Sequence, residues 1–447
     1  MRPLQLTPDV ENHLSDVVRD MAPENFRKWL EIGLDLPNGE YPHWERVKRL
    51  TPPTGLQPLE YWLAIKSARL RAQRRVPLKQ KSGAPFFFTE PSVVRALLSE
   101  LDLNAGGSVS LRGENLNQAD QDRYLARSLF EEPFSSSVLE GAATTRQVAK
   151  KMIEEDRAPR TRDERMILNN FLAMRYVKEI KDQDLTPDIV INIHRIVTEG
   201  TLDNPDQCGR LRLNNESVTV SDDTTGEILH LPPAAEELQS RLEALCQFAN
   251  EPIDRTNFVH PIIKAIILHF MLGYDHPFAD GNGRTARALF YWYVVKSKYW
   301  ILEYISISKV IMGAPIQYGN AFLYTESDHG DLTYFIIHQL KVIEKSINEL
   351  HEHLAETKRK IREFSKALNS EELNHRQSFI LNDAARGRLR AIEIVTHQKN
   401  QKVSYLTARN DLEGLVDSGY FVKSKSGRKS IYRPKANLIE RLTAEKK

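Results

Sequence analysis

Cysteine is scarce in this chain, which has two in 447 residues, Cys208 and Cys246. Two thiols cannot build a disulfide framework, and they are too few for a zinc site made of cysteine. The chain also lacks an uninterrupted apolar run of the roughly 20 residues that a membrane-spanning helix needs. Its first residues lack the apolar core of a signal peptide. These absences predict a cytoplasmic protein that is not inserted in a membrane.

No internal repeat is visible, and neither charge dominates, since the net charge is +2. The hydrophobic content of 41% and the charged content of 27% are typical of a globular protein, and 447 residues suffice for more than one domain. The charge is unevenly distributed, however. Residues 370–447 contain 16 lysines and arginines against 9 acidic residues, whereas the rest of the chain contains 46 against 51. A nucleic-acid partner is therefore a hypothesis for the C-terminal part.

The segment His-Pro-Phe-Ala-Asp-Gly-Asn-Gly-Arg-Thr-Ala-Arg, residues 276–287, carries the most chemistry. Its Gly-Asn-Gly turn, residues 281–283, can direct consecutive backbone N–H groups at one anion, because glycine reaches conformations closed to other residues. The proline-free stretch 284–296 predicts a helix whose N-terminus points at the same anion. Arg284 and Arg287, three residues apart, would share a face of that helix and offer two forked donors to phosphate oxygens.

Two further residues of this segment suit chemistry on a polyphosphate. Asp280 offers the carboxylate that a phosphate-bridging Mg²⁺ prefers. His276 is the one group here whose unperturbed pKa suits proton abstraction near neutral pH. Each residue alone is more often an ordinary turn or surface residue, but together they fit one mechanism. The segment therefore predicts a site that holds a nucleotide polyphosphate and directs an attack on it.

Residues 276–287 resemble the signature of the Fic family, His-x-Phe-x-(Asp/Glu)-Gly-Asn-Gly-Arg-x-x-Arg, at every fixed position. Most family members transfer AMP from ATP to a hydroxyl side chain of a target protein. The resemblance implies ATP as co-substrate, with Mg²⁺, and a distinct role for each residue. The implied roles are a base at His276, a buried anchor at Phe278, a Mg²⁺ ligand at Asp280, a phosphate nest at Gly281, Asn282 and Gly283, and ligands of the outer phosphates at Arg284 and Arg287.

A second segment, Ser-Ser-Val-Leu-Glu-Gly at residues 136–141, resembles the family's inhibitory pattern, (Ser/Thr)-x-x-x-Glu-(Gly/Asn). Its position N-terminal to the catalytic segment is that of the family's commonest autoinhibited class. The resemblance implies inhibitory roles for Ser136 and Glu140. The Glu140 carboxylate could pair with Arg287 and take the place of the γ-phosphate. The ordinary alternative is that Glu140 and Gly141 simply close a helix.

Residues 209–233 resemble the family's flap, a hairpin over the active site. Residues 217–220 and 228–231 predict two short strands, and the polar stretch 222–226 predicts the turn between them. An exposed strand edge there could hold a target segment by backbone pairing and bring its hydroxyl near His276. An ordinary surface hairpin is the alternative.

Breaks in the pattern divide the chain into four predicted regions in a mainly α fold. They are an N-terminal region (residues 1–90), a helical Fic catalytic domain with its hairpin flap (91–340), a linker helix (341–372) and a winged helix-turn-helix domain (373–447). The apolar stripe of the linker helix keeps a 4-3 spacing that suits either a coiled coil or packing along the catalytic core. In the N-terminal region, residues 59–74 predict a helix whose basic side chains we expect to be solvated.

Residues 374–434 resemble a winged helix-turn-helix domain. Residues 403–412 predict its turn and second helix, and residues 420–425 and 428–433 predict the strands of the wing. Basic side chains on such a module neutralise DNA phosphates. The candidates for DNA contact are Tyr405, Arg409, Arg428 and Lys429. The alternative is a module for protein contacts or for homodimerisation.

The leading hypothesis is an autoinhibited protein adenylyltransferase that modifies a Tyr, Ser or Thr hydroxyl of a protein target, including its own. The competing hypothesis is a DNA-binding regulator whose core only senses nucleotide. A sensor needs the phosphate-binding residues but no base, so the intact His276 and Asp280 favour the enzyme. A third hypothesis is a bifunctional enzyme in which Glu140 also orients water to remove AMP from a modified target.

Overall fold

The computed structural model describes residues 3–105, 130–222, 224–252, 254–368, 373–385, 388–426, 429–435 and 438. Contacts within this part of the chain form two units. The first lies within Met1–Ser110 and Arg127–Ile347, and the second lies within Asn348–Lys447. No helix among the described residues has both the length and the apolar character needed to cross a membrane.

The first unit is built mainly from helices, which confirms the predicted mainly α fold. Its helices are α1 (Val10–Asp20), α2 (Pro23–Glu31), α3 (Trp44–Val47), α4 (Pro58–Ala72), α5 (Ser92–Ala105), α6 (Glu131–Leu139), α7 (Arg146–Glu154), α8 (Arg162–Glu179), α9 (Pro187–Thr198), α10 (Leu238–Asn250), α11 (Pro261–Asp275), α12 (Asn282–Lys296), α13 (Ile307–Met312), α14 (Pro315–Ser327) and the first part of α15 (Thr333–Leu368). Two antiparallel hairpins accompany them, β1 (Arg74–Lys79) with β2 (Pro85–Phe88) and β3 (Val220–Ser221) with β4 (Ile228–His230).

The centre of the first unit is the helix pair α11 and α12, which pack against each other. Every residue from 262 to 272 in α11 is buried, as the nearly all-round apolar sequence of this helix predicts. In α12 every residue from 284 to 295 is buried. These two helices flank the loop at residues 276–281 and hold it from both ends.

Local chemistry sets the first residues of α11 and α12. α11 begins at Pro261, because proline suits the first helical position and the His260 Nδ1 accepts a hydrogen bond from the Ile262 N–H (3.2 Å). α12 begins at Asn282, two residues before the predicted start. The reason is Gly281, whose φ of 81° turns the chain into the helix.

The flap hairpin is shorter than predicted. Residues 217–219, predicted as strand, are not strand, and pairing begins only at Val220 opposite His230. The Asp222 side chain accepts hydrogen bonds from the N–H groups of Thr224 (3.0 Å) and Thr225 (2.9 Å). This side-chain turn folds the hairpin directly after β3 and leaves only two residues of that strand to pair.

The expectation that the basic side chains of α4 are solvated is wrong for two of them. Arg69 is fully buried and Lys66 nearly so. Arg69 donates hydrogen bonds to the Tyr334 hydroxyl (2.7 Å) and the Pro42 carbonyl (2.9 Å), and the Lys66 ammonium lies 2.7 Å from the Asp328 carboxylate. Buried charges of this kind persist only when they are paired. The pairs join the N-terminal region to the end of α14 and the start of α15.

The predicted linker helix is the C-terminal part of the longer helix α15, which begins at Thr333. Its apolar stripe is buried at Ile343, Ile347 and Leu350, and again at Phe364 and Leu368. This burial favours packing within the chain over an exposed coiled-coil seam.

The second unit contains α16 (His375–Ala385), α17 (Ile394–Gln401) and α18 (Tyr405–Asp417). Its strands β5 (Ile392–Glu393), β6 (Phe421–Ser426) and β7 (Lys429–Pro434) form an antiparallel sheet in the order β5–β7–β6. α18 ends at Asp417, because Gly419 is left-handed with a φ of 75°. β6 begins one residue later than predicted, and Arg428, the predicted first residue of the second long strand, lies outside the described residues. Assignment of this unit to the winged helix-turn-helix class stays a prediction.

Candidate active site

His276 ends α11 and begins the loop that leads to α12. Its backbone is left-handed, with a φ of 42°. Its Nδ1 is hydrogen-bonded to the Gly273 carbonyl. A carbonyl oxygen only accepts, so Nδ1 carries the proton and Nε2 keeps a free lone pair. Burial is the main cause that lowers the pKa of His276 to about 4. The ring is therefore neutral near pH 7, and its Nε2 can take up a proton.

Phe278 and Asn282 give the loop its shape. Phe278 is fully buried, as predicted, and its ring stacks on that of His194 with 3.8 Å between the ring centres. The Asn282 Oδ1 accepts a hydrogen bond from the Phe278 N–H (2.9 Å), and its Nδ2 donates to the Phe278 carbonyl (2.8 Å). The Asn282 side chain is thus used inside the loop, so the predicted phosphate nest would use its backbone N–H.

Both ends of the Gly-Asn-Gly turn are closely packed, and the left-handed backbone of Gly281 (φ 81°) favours glycine there. A Cβ at Gly281 would lie 2.5 Å from Cγ2 of Thr198, and a Cβ at Gly283 would lie 2.3 Å from Oε1 of Glu140. The short distance at Gly283 means that the Glu140 carboxylate lies directly against the first turn of α12. That is the position at which the sequence predicts an anion.

Arg287 is buried and held by the segment predicted to be inhibitory. Its Nη2 donates to Oε1 of Glu140 (2.8 Å), and its Nε donates to Oγ of Ser136 (2.9 Å). Ser136 lies in the C-terminal half of α6, and Glu140 directly follows the last residue of that helix. The next residue, Gly141, is left-handed with a φ of 94°. The structure brings these three predicted residues together, and the buried Arg287 donates to both of the others. The inhibitory role of the contact stays a prediction.

Arg284 and Asp280 are neighbours at the N-terminal end of α12. The buried Arg284 donates from Nη1 to the Val197 carbonyl (3.0 Å), and its Nη2 is 3.4 Å from Oδ2 of Asp280. Its Nε is buried without a partner among the described residues, so one donor is left for an anion. The Asp280 side chain is half exposed, and its Oδ1 accepts from the Gly281 N–H (2.5 Å).

Asp280 suits a metal that is shared with a ligand. Within the described ranges, no cluster of three or more His, Cys, Asp or Glu side chains is arranged to hold a metal ion by itself. Mg²⁺ is commonly held by one or two carboxylates together with phosphate oxygens and water. A half-exposed carboxylate beside the N-terminus of α12 fits that set of ligands.

Residues 184–294, which contain the flap, this loop and both central helices, match the sequence profile of the Fic/DOC family. Protein adenylyltransferase Fic of Nematostella vectensis is 28% identical to the chain over 234 residues, which are 51% of this chain and 49% of that protein. The protein of the same name from Drosophila mojavensis is 29% identical over 199 residues, or 43% and 36% of the two chains. The chain therefore matches about half or less of the length of these curated relatives.

One solved structure similar to the chain is that of a Fic family protein from Desulfovibrio desulfuricans G20. It is 18% identical, has a TM-score of 0.49, and the match covers 77% of this chain and 96% of that one.

His194 of α9 is one of several residues around the loop at 276–281 that the sequence analysis missed. Its Nδ1 accepts from the Gly209 N–H (3.2 Å), and its Nε2 therefore donates to the Asp280 carbonyl (2.9 Å). Burial lowers the pKa of His194 to about 4, which keeps this arrangement neutral. His194 thus joins the start of the flap to the loop at residues 276–281, and no local pattern in α9 distinguishes it.

Arg212 makes a second connection between the flap and the loop. Its Nε donates to the His276 carbonyl (2.8 Å), and its backbone N–H donates to the Pro277 carbonyl (2.9 Å). An arginine close to Cys208 and Gly209 was visible in the sequence, but its partners lie over 60 residues away. Arg212 fixes the backbone on which the His276 ring is mounted.

Glu132 anchors the N-terminal end of α6, the helix that carries Ser136. It is buried, and burial raises its pKa. Its Oε2 accepts from the Ser306 hydroxyl (2.9 Å) and the Ser308 N–H (3.0 Å), and its Oε1 accepts from the Ser308 hydroxyl (2.6 Å). These bonds tie α6 to the start of α13 and so fix the direction in which the helix reaches Arg287.

The second unit presents three of the four candidate DNA-contact residues on two elements. Tyr405 and Arg409 lie in α18 and are half exposed. Lys429 begins β7 and is exposed, with its ammonium 3.1 Å from Oε2 of Glu393. Arg428 lies outside the described residues. Contact of these side chains with DNA stays a prediction.

Proposed function

We propose that this protein transfers AMP from ATP to a hydroxyl side chain of a protein target, and that Glu140 restrains the transfer. The observation that carries the proposal is the state of His276, whose Nδ1 is bonded to a carbonyl so that Nε2 is free to take a proton. This base is separated by one short loop from the N-terminus of α12, which carries Arg284 and Arg287 in its first turns. A proton acceptor beside an anion-binding helix terminus is what attack of a hydroxyl on a phosphate requires.

In the proposed reaction the target hydroxyl gives its proton to Nε2 of His276 while its oxygen forms a bond to the α-phosphorus. The bond from that phosphorus to the bridging oxygen of the β-phosphate breaks, and pyrophosphate leaves. The N–H groups of Asn282 and Gly283, with Arg284 and Arg287, bind the phosphates and keep the entering and leaving oxygens in line. Asp280 would hold Mg²⁺, which would supply positive charge to neutralise the phosphates.

Position-specific labelling of ATP tests the proposal directly. We expect label from the α-phosphate to become attached to protein when the purified chain is incubated with ATP and Mg²⁺, and label from the γ-phosphate to stay in solution. Transfer of the γ-label would indicate a kinase instead. Binding of ATP with transfer of neither label, by Glu140→Gly as well as by the wild type, would favour a nucleotide sensor, which needs no base at position 276.

Replacing Asp280 by alanine should raise the Mg²⁺ concentration needed for half-maximal transfer by at least about tenfold. The variant loses a ligand of the metal itself, and even removal of an outer-shell partner typically costs 10–100-fold in metal affinity. A titration of transfer rate against Mg²⁺ measures the effect. Asp203, whose side chain is 94% exposed, provides the matched control Asp203→Ala. Equal midpoints for Asp280→Ala and wild type would remove the metal role of Asp280.

For the second unit we propose contact with duplex DNA through α18 and β7. The charge reversals Arg409→Glu and Lys429→Glu, made together in the full chain, should weaken binding and reduce the slope of log affinity against log salt by about 2, because two phosphate contacts are lost. Arg19 and Lys151, similarly exposed, provide the control pair Arg19→Glu and Lys151→Glu. Absence of DNA binding by wild type at low salt would leave protein contact or homodimerisation as the role of this unit.

A further inference from the structure

His230, the last residue of flap strand β4, is buried with both ring nitrogens facing oxygen atoms. Its Nε2 lies 2.7 Å from the carbonyl oxygen of Tyr274, and its Nδ1 lies 2.7 Å from Oε2 of Glu326. The carbonyl can only accept, so Nε2 must donate. A neutral ring would then present a lone pair on Nδ1 to the carboxylate. A ring protonated on both nitrogens satisfies both contacts.

The place of His230 at the end of α11 also favours a cation. Tyr274 is the second-last residue of that helix, and its carbonyl is one of the last four, which have no partner within the helix. The partial negative charge at a helix C-terminus attracts a positive side chain. The carboxylate of Glu326, from α14, adds a full negative charge on the other side of the ring.

This imidazolium lies beside the base of the proposed reaction. The ring centres of His230 and His276 are 6.3 Å apart. A positive charge on His230 at that distance makes protonation of Nε2 of His276 unfavourable, so it lowers the pKa of His276. Burial acts in the same direction and is the larger cause. The other charged or titratable groups around the two rings are Arg212, Tyr274, Asp275, Glu140 and Glu326.

We propose that His230 is a charged positioning residue of the flap. As an imidazolium it ties β4 to the end of α11 and to α14, and its charge adds to the burial that keeps His276 in the neutral form that accepts a proton. The proposal rests on the proposed function only in taking His276 as the base. His230 touches neither phosphate nor the attacking oxygen in this role, so its effect is exerted through His276 and the flap.

Nuclear magnetic resonance of the full chain with labelled histidine rings tests the proposal without ATP or target. At neutral pH both nitrogens of His230 should have the shifts of a protonated ring, and His276 should be protonated on Nδ1 alone. In His230→Gln, which keeps a donor but removes the charge, the titration midpoint of His276 should rise by about one pH unit or more. A neutral His230 ring at pH 7, or an unchanged midpoint, would overturn the proposal.

Two further variants test whether the change in His276 depends on the charge of His230. His13 is exposed in α1, so His13→Gln should leave the His276 midpoint where it is in wild type. Glu326→Gln keeps the size of the partner and removes its charge, so the second proton on the His230 ring should be lost at neutral pH. A His230 ring that stays protonated on both nitrogens in Glu326→Gln would contradict the ion pair even if His230→Gln did not fold.

Transfer assays then separate this inference from the proposed function. In a Glu140→Gly background, His230→Gln should move the acid limb of the pH–rate profile upward by about the same amount as the His276 midpoint. A uniform loss of rate with an unmoved acid limb would overturn the charge role of His230. Absence of α-label transfer at every pH would instead contradict the proposed function, and the ring titrations would still decide the inference.

Discussion

Glu140→Gly should raise AMP transfer by on the order of 100-fold, including transfer to the protein's own hydroxyl groups, and should raise ATP affinity by less. Glu140 lies 2.8 Å from Arg287 and directly against Gly283, so its carboxylate holds both a phosphate ligand and the space beside it. ATP that binds in its presence must place the γ-phosphate elsewhere, which moves the α-phosphate out of line. A misplacement of about 1 Å can cost roughly 100-fold in rate. Intact-mass analysis after incubation with ATP and Mg²⁺ measures the gain.

The chain offers a matched control for this substitution. Glu155 caps α7 with nearly the same backbone geometry as Glu140 has at the end of α6, with a φ of −94° against −95°, and its side chain is exposed. Glu155→Gly repeats the change at a helix end without touching Arg287, so it should not raise transfer. Glu155→Gly and Glu140→Gly with equal gains would mean that loosening of the fold, and not release of Arg287, causes activation.

Arg287 variants distinguish release of a ligand from its loss. Arg287→Ala removes the ion pair together with the phosphate ligand, so it should not mimic Glu140→Gly. The double variant should behave like Arg287→Ala alone, because the two residues act through one contact. A Glu140→Gly protein that loses removal of AMP without gaining transfer would make Glu140 mainly a hydrolytic residue.

His276→Ala should lower transfer by at least about 100-fold, the usual contribution of a positioned base, and leave ATP affinity nearly unchanged. The imidazole acts on the target hydroxyl, whereas the phosphates are bound by the loop, the arginines and the metal. The assay is best made in the Glu140→Gly background, with ATP binding measured by calorimetry on the same protein.

A second substitution at this position controls for backbone strain. His276 is left-handed, with a φ of 42°, and alanine is disfavoured in that region while asparagine tolerates it. His276→Asn should therefore keep the loop and lose the base, with the same fall in rate as His276→Ala. If His276→Asn keeps activity comparable to the parent, the base is another group.

Much of the candidate site is visible in the sequence because it depends on neighbours in the chain. Gly281 turns the backbone, α12 follows from a proline-free run, and Arg284 and Arg287 share a face because they are three residues apart. The same reasoning misplaces elements where a side chain intervenes, as Asp222 does when it shortens β3. It also misjudges α4, because a run of basic residues does not tell which of them will be enclosed.

The sequence by itself determined the loop between α11 and α12, the helical class of the first unit and the residues available for a base, a metal and phosphates, since each follows from local conformation and chemical type. Only the tertiary structure decided the partners of those residues. Glu140 and Arg287 meet across 147 positions, Ser306 and Glu132 across 174, and His230 and Glu326 across 96. Contacts at such separations depend on how whole helices pack, and burial then decides which charges are paired and which proton each histidine carries.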